Sequence, residues 1–150
     1  MDIATLEAEA DTLVLPRFDE ATALDLGMIL VGLAKEARLP VVVNIRTPDR
    51  VLFHAALPGS APLNDLWARR KSNTALLLQT ASLLAGLRNR AKGEGVQHHG
   101  LDPAHYADHG GAVPIRVAGT GVVAVATVSG LPQIEDHALV VRAIRAVMAL

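Results

Sequence analysis

The run Val122-Val123-Ala124-Val125-Ala126-Thr127-Val128 constrains this chain more than any other segment. Strand side chains alternate between the two faces of a sheet, and this run is apolar at both odd and even positions. Such a strand needs cover on both sides. It therefore predicts the centre of a sheet with helices packed on its faces.

The rest of the chain supplies those helices and the neighbouring strands. Ile3, Leu6, Ala10 and Leu13 are spaced for one face of a short helix that Asp2 can cap. Thr12 to Leu15 reads as a short strand stopped by Pro16. Asp19 caps a second helix running to about Ala37, with Glu20 suited to the dipole of its first turn. That helix is apolar nearly all round (Leu24, Leu26, Met28, Ile29, Leu30, Val31, Leu33). It should be buried on most sides, by its own core or by another subunit.

Val41 to Arg46 and Val51 to Ala56 alternate as a hairpin around Thr47-Pro48-Asp49-Arg50, which has proline where a type I turn favours it. Pro58-Gly59-Ser60-Ala61-Pro62 is a stiff loop. A long helix is expected from about 64 to 90, with Leu76, Leu77, Leu83, Leu84 and Leu87 at helical spacing. Positions 92–100 read as loop. Asp102-Pro103 is a cap followed by proline, and predicts a short helix to about Asp108. A second hairpin (113–129) turns at Gly119-Thr120-Gly121, and Pro132 starts a last helix to about Ala149. The expectation is a single α/β (α+β) domain over 1–150, with an antiparallel sheet of about five strands.

Composition excludes several functions. Hydrophobic residues make up 51% but aromatic residues only 3%, and 14 basic residues face 15 acidic ones. Phosphate backbones need clustered positive charge and single-stranded bases need aromatic platforms, so no nucleic-acid partner is expected. The absence of cysteine removes thiolate metal sites and cysteine nucleophiles. The first residues show no signal-peptide pattern, and the apolar stretch 27–34 is far short of the about 20 residues of a membrane span. A cytoplasmic protein with no membrane partner is the expectation. The aliphatic excess needs a home, and a large subunit interface is one candidate.

Candidate chemistry is sparse. His105 and His109 are four apart and would share a helix face, but no adjacent glutamate completes a zinc motif, so no metal is expected. His54 lies on a strand before a rigid Pro-Gly loop. A half-buried imidazole there would suit a haem axial ligand or a general base as well as a structural role. Arg69, Arg70 and Lys71 put three cations in the first turns of the long helix, where the dipole disfavours them by roughly 0.3–1 kcal/mol each. Pairing with Asp65, solvation or an anionic ligand could offset that. Trp67, the only tryptophan, reads as a core or interface anchor. Arg116 faces solvent or a pocket from its strand. Ser129, Asp136 and His137 have neither the elbow nor the spacing of a hydrolase triad.

Several blocks together resemble one family. They are Phe18 to Gly27, Leu39 to Val43, Leu52-Phe53-His54-Ala55-Ala56-Leu57-Pro58-Gly59, Asn64-Asp65-Leu66-Trp67-Ala68-Arg69-Arg70-Lys71, Tyr106 to Gly111, and Thr127 to Pro132 with Asp136-His137. The chain is similar over almost its whole length to the haem-degrading-domain family (GlcG/HbpS-like), in its compact stand-alone branch. The resemblance implies a profilin-like or PAS-like fold, homo-oligomers (a dimer or a larger ring), and haem or another anionic tetrapyrrole as ligand and cofactor candidate. Carried over by position, the ligand-binding candidates are His54, Asn64, Trp67, Arg69, Arg70, Lys71, His109, Arg116 and His137. Gly110, Gly111, Ser129 and Asp136 belong to the same motifs. The chain departs from the family pattern at Leu63, Val113 and Ala81.

Three functions follow as expectations: a binding module for a small anionic ligand, an oligomeric scaffold without chemistry, and an enzyme using His54, His109 or His137 as acid/base with an arginine holding a carboxylate.

Overall fold

A computed structural model describes residues 1–150. Asp2 and Asp19 open the first two helices. Each carboxylate accepts the amide three residues on, Thr5 N at 2.8 Å and Thr22 N at 2.9 Å, which satisfies donors that a first turn leaves without partners. Helix α1 spans Ile3–Thr12 and α2 spans Glu20–Glu36, with the short strand β1, Val14–Leu15, between them. The first hairpin is β2 (Val42–Arg46) and β3 (Val51–Ala56). Helices α3 (Pro62–Leu78) and α4 (Ser82–Ala91) follow. The second hairpin is β4 (Ala112–Val117) and β5 (Gly121–Ser129), and α5 covers Gln133–Met148.

The strands form one sheet in the order β1-β4-β5-β2-β3, with β5 at its centre as its sequence demands. The expected antiparallel sheet is in fact mixed, because β1 runs parallel to β4. Following the pairings across the sheet, β1 and β2 point the same way. The helix α2 lies between them in sequence, and a helical crossover is what joins parallel strands.

The two faces of the sheet differ in chemistry. On one, Val43, Ile45, Ile115, Ala124, Ala126 and Val128 pack with Leu26 and Leu30 of α2 and Val140 and Ile144 of α5 in a single apolar cluster. The other face lies under α3 and is hydrogen-bonded. Buried there are Asn44 and Thr127 from the strands and Lys71, Ser72 and Thr74 from the helix. The hydroxyls of Ser72 and Thr127 meet at 2.7 Å. The polar layer is satisfied internally, which burial requires.

Two helix expectations fail, for different reasons. The long helix over 64–90 is two helices. Gln79 adopts a left-handed φ of 53° and ends α3. The break lets the Ser82 hydroxyl accept from Ala112 N at 3.0 Å, tying the start of α4 to β4. The short helix over 102–108 is only a turn. Only that turn closes on itself, with His105 N and Tyr106 N donating to Asp102 O, and the groups that would continue it bond to α3: Pro103 O accepts from Arg70 Nε, His105 O from Asn73 Nδ2, and Ala107 N donates to Thr74 Oγ1. The shared helix face of His105 and His109 disappears with it. Within the stretch read as loop, Val96–His99 forms a 3-10 turn.

Candidate functional site

At 100° per residue, positions 64, 67 and 71 of α3 fall on one flank and 65 and 69 on the other, with 68, 72 and 75 between them facing the sheet. The candidate residues of this helix therefore serve two clefts.

The first cleft holds about 250 Å³ and is lined by Asn64, Trp67, Lys71, His109, Ser129 and Asp136, among others. Trp67 and His109 meet edge to face, their ring centroids 5.1 Å apart. The Arg70 guanidinium stacks 4.4 Å from the Trp67 ring centre, a cation–π contact. His109 is half exposed, and its Nδ1 lies 3.6 Å from Asp108 Oδ1, while its Nε2 has no protein partner. Burial holds this imidazole below its ordinary 6.5, and the Asp108 charge offsets part of that effect.

The floor of this cleft is built rather than reactive. The Lys71 ammonium donates to Gly110 O at 3.0 Å, Val128 O at 2.7 Å and Asp136 Oδ2 at 3.2 Å, which uses all three of its protons. Asp136 also accepts from Gly130 N and Leu131 N, fixing the turn from β5 into α5. Burial pushes Lys71 down and Asp136 up, and each charge partly offsets the shift of the other. Gly111, with φ at 136°, sits where any Cβ would overlap Lys71 Nζ and the Val128 carbonyl oxygen.

The second cleft holds about 330 Å³ between β2, β3 and α3, with Asn44, Arg46, His54, Asp65 and Arg69 in its wall. Asn44 and His54 are directly opposite across the hairpin. Arg46 Nε donates to Asn44 Oδ1 at 3.0 Å, which leaves the amide nitrogen to donate to His54 Nδ1 at 3.0 Å. The ring proton then sits on Nε2, 3.0 Å from Asp65 Oδ1. Arg46 thus selects the His54 tautomer through Asn44. Both nitrogens of His54 are occupied, which removes it as a ready axial ligand.

The remaining candidates lie elsewhere. Arg116 NH2 donates to Gln79 O at 2.6 Å and helps end α3. His137, only 1% exposed, bonds Glu9 Oε1 of α1 at 2.6 Å and reaches neither cleft. The triad letters diverge, because Asp136 faces Lys71 while His137 faces α1. The supposed cation cluster splits three ways: Lys71 inward, Arg70 onto Trp67, Arg69 into the second cleft. No two of His54, His109 and His137 share a cleft. Asn44 and Arg46 are missing from the sequence-based candidates. Their signal is alternation with Val43 and Ile45, which puts them on the face of His54.

A mixed five-stranded sheet with five α-helices and a polar layer under one of them is an α+β architecture shared with solved proteins. The crystal structure of Ybr137w superposes with a TM-score of 0.88 at 33% identity, covering 99% of this chain and 88% of that one. HbpS (TM-score 0.71, 20% identity, covering 88% of this chain and 90% of that one) and PduOC in complex with haem (0.73, 20%, covering 86% and 94%) share the fold. The chain belongs to the HbpS-like haem-degrading protein family, whose model matches residues 18–145. Among curated relatives, a UPF0303 protein of Streptomyces coelicolor is 50% identical over 95% of this chain and 90% of its own length. A UPF0303 protein of Rhizobium etli is 41% identical over 99% and 90%.

Proposed function

We propose that this chain is a binding module for a small anionic ligand, held in the Trp67–His109 cleft, with haem or another anionic tetrapyrrole as the named candidate. The observation that carries this reading is the His109 imidazole beside Trp67. Burial lowers its pKa, which favours the neutral form, and its Nε2 has no protein partner. That donor fits axial binding to haem iron. Family membership and the haem complex of PduOC support the same candidate. The Arg70 guanidinium uses only its Nε on Pro103 O, so its terminal nitrogens suit a carboxylate of the ligand. The cleft takes the edge of a macrocycle rather than enclosing it, since it holds about 250 Å³ and its apolar lining is little more than Trp67 and Leu131.

Trp67 is the only tryptophan, so its fluorescence reports on this cleft alone. Titration with haem should quench it saturably and shift the Soret band. His109→Ala should abolish the Soret shift and His54→Ala should keep it. Absence of saturable quenching in the wild-type chain overturns the reading.

A homo-oligomer is the second reading, and exposed apolar surface favours it. Leu24 (54% exposed) and Met28 (61% exposed) stand one turn apart on α2. Near the end of that helix an apolar hollow of about 630 Å³ is lined by Val31, Leu39, Ala55 and Leu57 beside the edge strand β3. An open strand edge next to apolar surface suits a second copy of the chain. Light scattering should give at least a dimer, and Met28→Glu should shift it toward monomer. A wild-type monomer at micromolar concentration sinks this reading. No helix is long and apolar enough to cross a membrane, and cytoplasmic placement belongs with this proposal.

A further inference from the structure

Arg69 follows Asp65 by four residues on α3, the spacing at which a carboxylate and a guanidinium ordinarily pair. They form no ion pair here. Asp65 turns instead to His54, and Arg69 is left without any protein acceptor. Arg46 faces the same cleft from β2. Its Nε is held by Asn44, which orients the group, and its two terminal nitrogens have no acceptor. Burial lowers the Arg46 pKa, and the charge of Arg69 lowers it further. Two guanidinium groups thus share a cleft of about 330 Å³ whose carboxylate is already engaged.

We propose that the cleft between β2, β3 and the first turns of α3 binds a small oxyanion, a phosphate or carboxylate group held between Arg46 and Arg69. Guanidinium forks match the oxygens of such anions in geometry as well as charge. Asn44 and His54 act as positioning residues. Asn44 fixes the Arg46 fork, and His54 draws Asp65 away from Arg69. This site is distinct from the Trp67–His109 cleft on the opposite flank of α3.

The test titrates the full chain with inorganic phosphate, and separately with malonate, at constant ionic strength. NMR follows the Arg46 Nε–H and His54 ring signals. Saturable shifts are expected for at least one probe: phosphate alone identifies the phosphate form of the proposal and malonate the carboxylate form. Arg69→Gln should weaken binding at least about tenfold, because it removes a charge-assisted hydrogen-bond donor. Asp65→Asn should tighten it roughly threefold, since it removes a repelling charge while Oδ1 still accepts from His54. Arg145→Gln, a surface change on α5, should leave binding unchanged. Circular dichroism establishes that each variant is folded. Non-saturating shifts that chloride reproduces, or a folded Arg69→Gln variant within twofold of wild type, overturn the proposal. Trp67 fluorescence and the Soret band are not read here, so failure of this site and failure of the Trp67–His109 site are separate results.

Discussion

Lys71 Nζ lies 3.2 Å from Asp136 Oδ2, and these residues, 65 positions apart, are 2% and 3% exposed. Their ion pair joins α3 to α5 at the rim of the sheet, between the carbonyl oxygens of Gly110 and Val128. A buried pair is not necessarily worth more than apolar packing, but removing one partner leaves the other charge in low dielectric.

Lys71→Met should therefore destabilise the chain by about 3–5 kcal/mol. Asp136 would keep the Leu131 and Gly130 amides but lose its counter-charge, and two carbonyls would lose their donor. Urea unfolding measures this directly. A loss below about 1 kcal/mol would mean that water or rearrangement replaces the ammonium.

Gly111→Ala should cost about 2 kcal/mol or more, combining left-handed backbone strain with a steric clash. The added Cβ would push on Lys71 Nζ and the Val128 carbonyl oxygen, both fixed in the network. Gly93→Ala is the useful comparison. Its φ of 67° is also positive, but a Cβ there meets nothing within 4 Å. The difference in urea midpoints isolates the clash.

His109 should titrate below 6.5 in an NMR pH series, because burial disfavours its charged form. The sign for stability follows. With the folded pKa depressed, the unfolded state binds more protons between the folded pKa and 6.5. Stability should thus rise with pH across that window and fall as pH drops through it. Asp108→Asn removes the main opposing charge and should lower the His109 midpoint further. A midpoint above 6.5 in the wild-type chain contradicts the assignment.

Glu9→Ala should cost roughly 1–3 kcal/mol and loosen α1, because it leaves a buried imidazole without its one partner. His137 Nδ1 already has none, so the 2.6 Å bond from Nε2 to Glu9 is all that satisfies the ring. Hydrogen exchange should show faster opening of residues 3–12 in the variant. Glu9→Gln keeps an acceptor oxygen and should lose less.

Much of the framework is legible in the sequence, because its signals are local. Asp2 and Asp19 cap their helices as expected, and the alternation of Val43 and Ile45 with Asn44 and Arg46 separates apolar from polar faces. The Gln79 break is illegible because the Leu76 to Leu87 pattern continues through it. What decides it is the bond from Ser82 to Ala112, a strand 30 residues away. Asp102-Pro103 signals a helix correctly by local rules, yet Arg70, Asn73 and Thr74 capture the backbone groups that such a helix needs.

The candidate side chains divide in the same way. Sequence alone determined the two hairpins, the central place of β5, the helix starts capped by Asp2 and Asp19 and the residue types available for chemistry. Tertiary structure alone decided that Asp65 pairs with His54 and not Arg69, that Lys71 is spent on two carbonyls and Asp136, and that His137 belongs to α1. Caps and periodicity depend on neighbours within about four residues, the reach of one helical turn. The partner of a charged side chain depends on which distant strand or helix is folded beside it, and in this chain those partners lie up to 128 residues away.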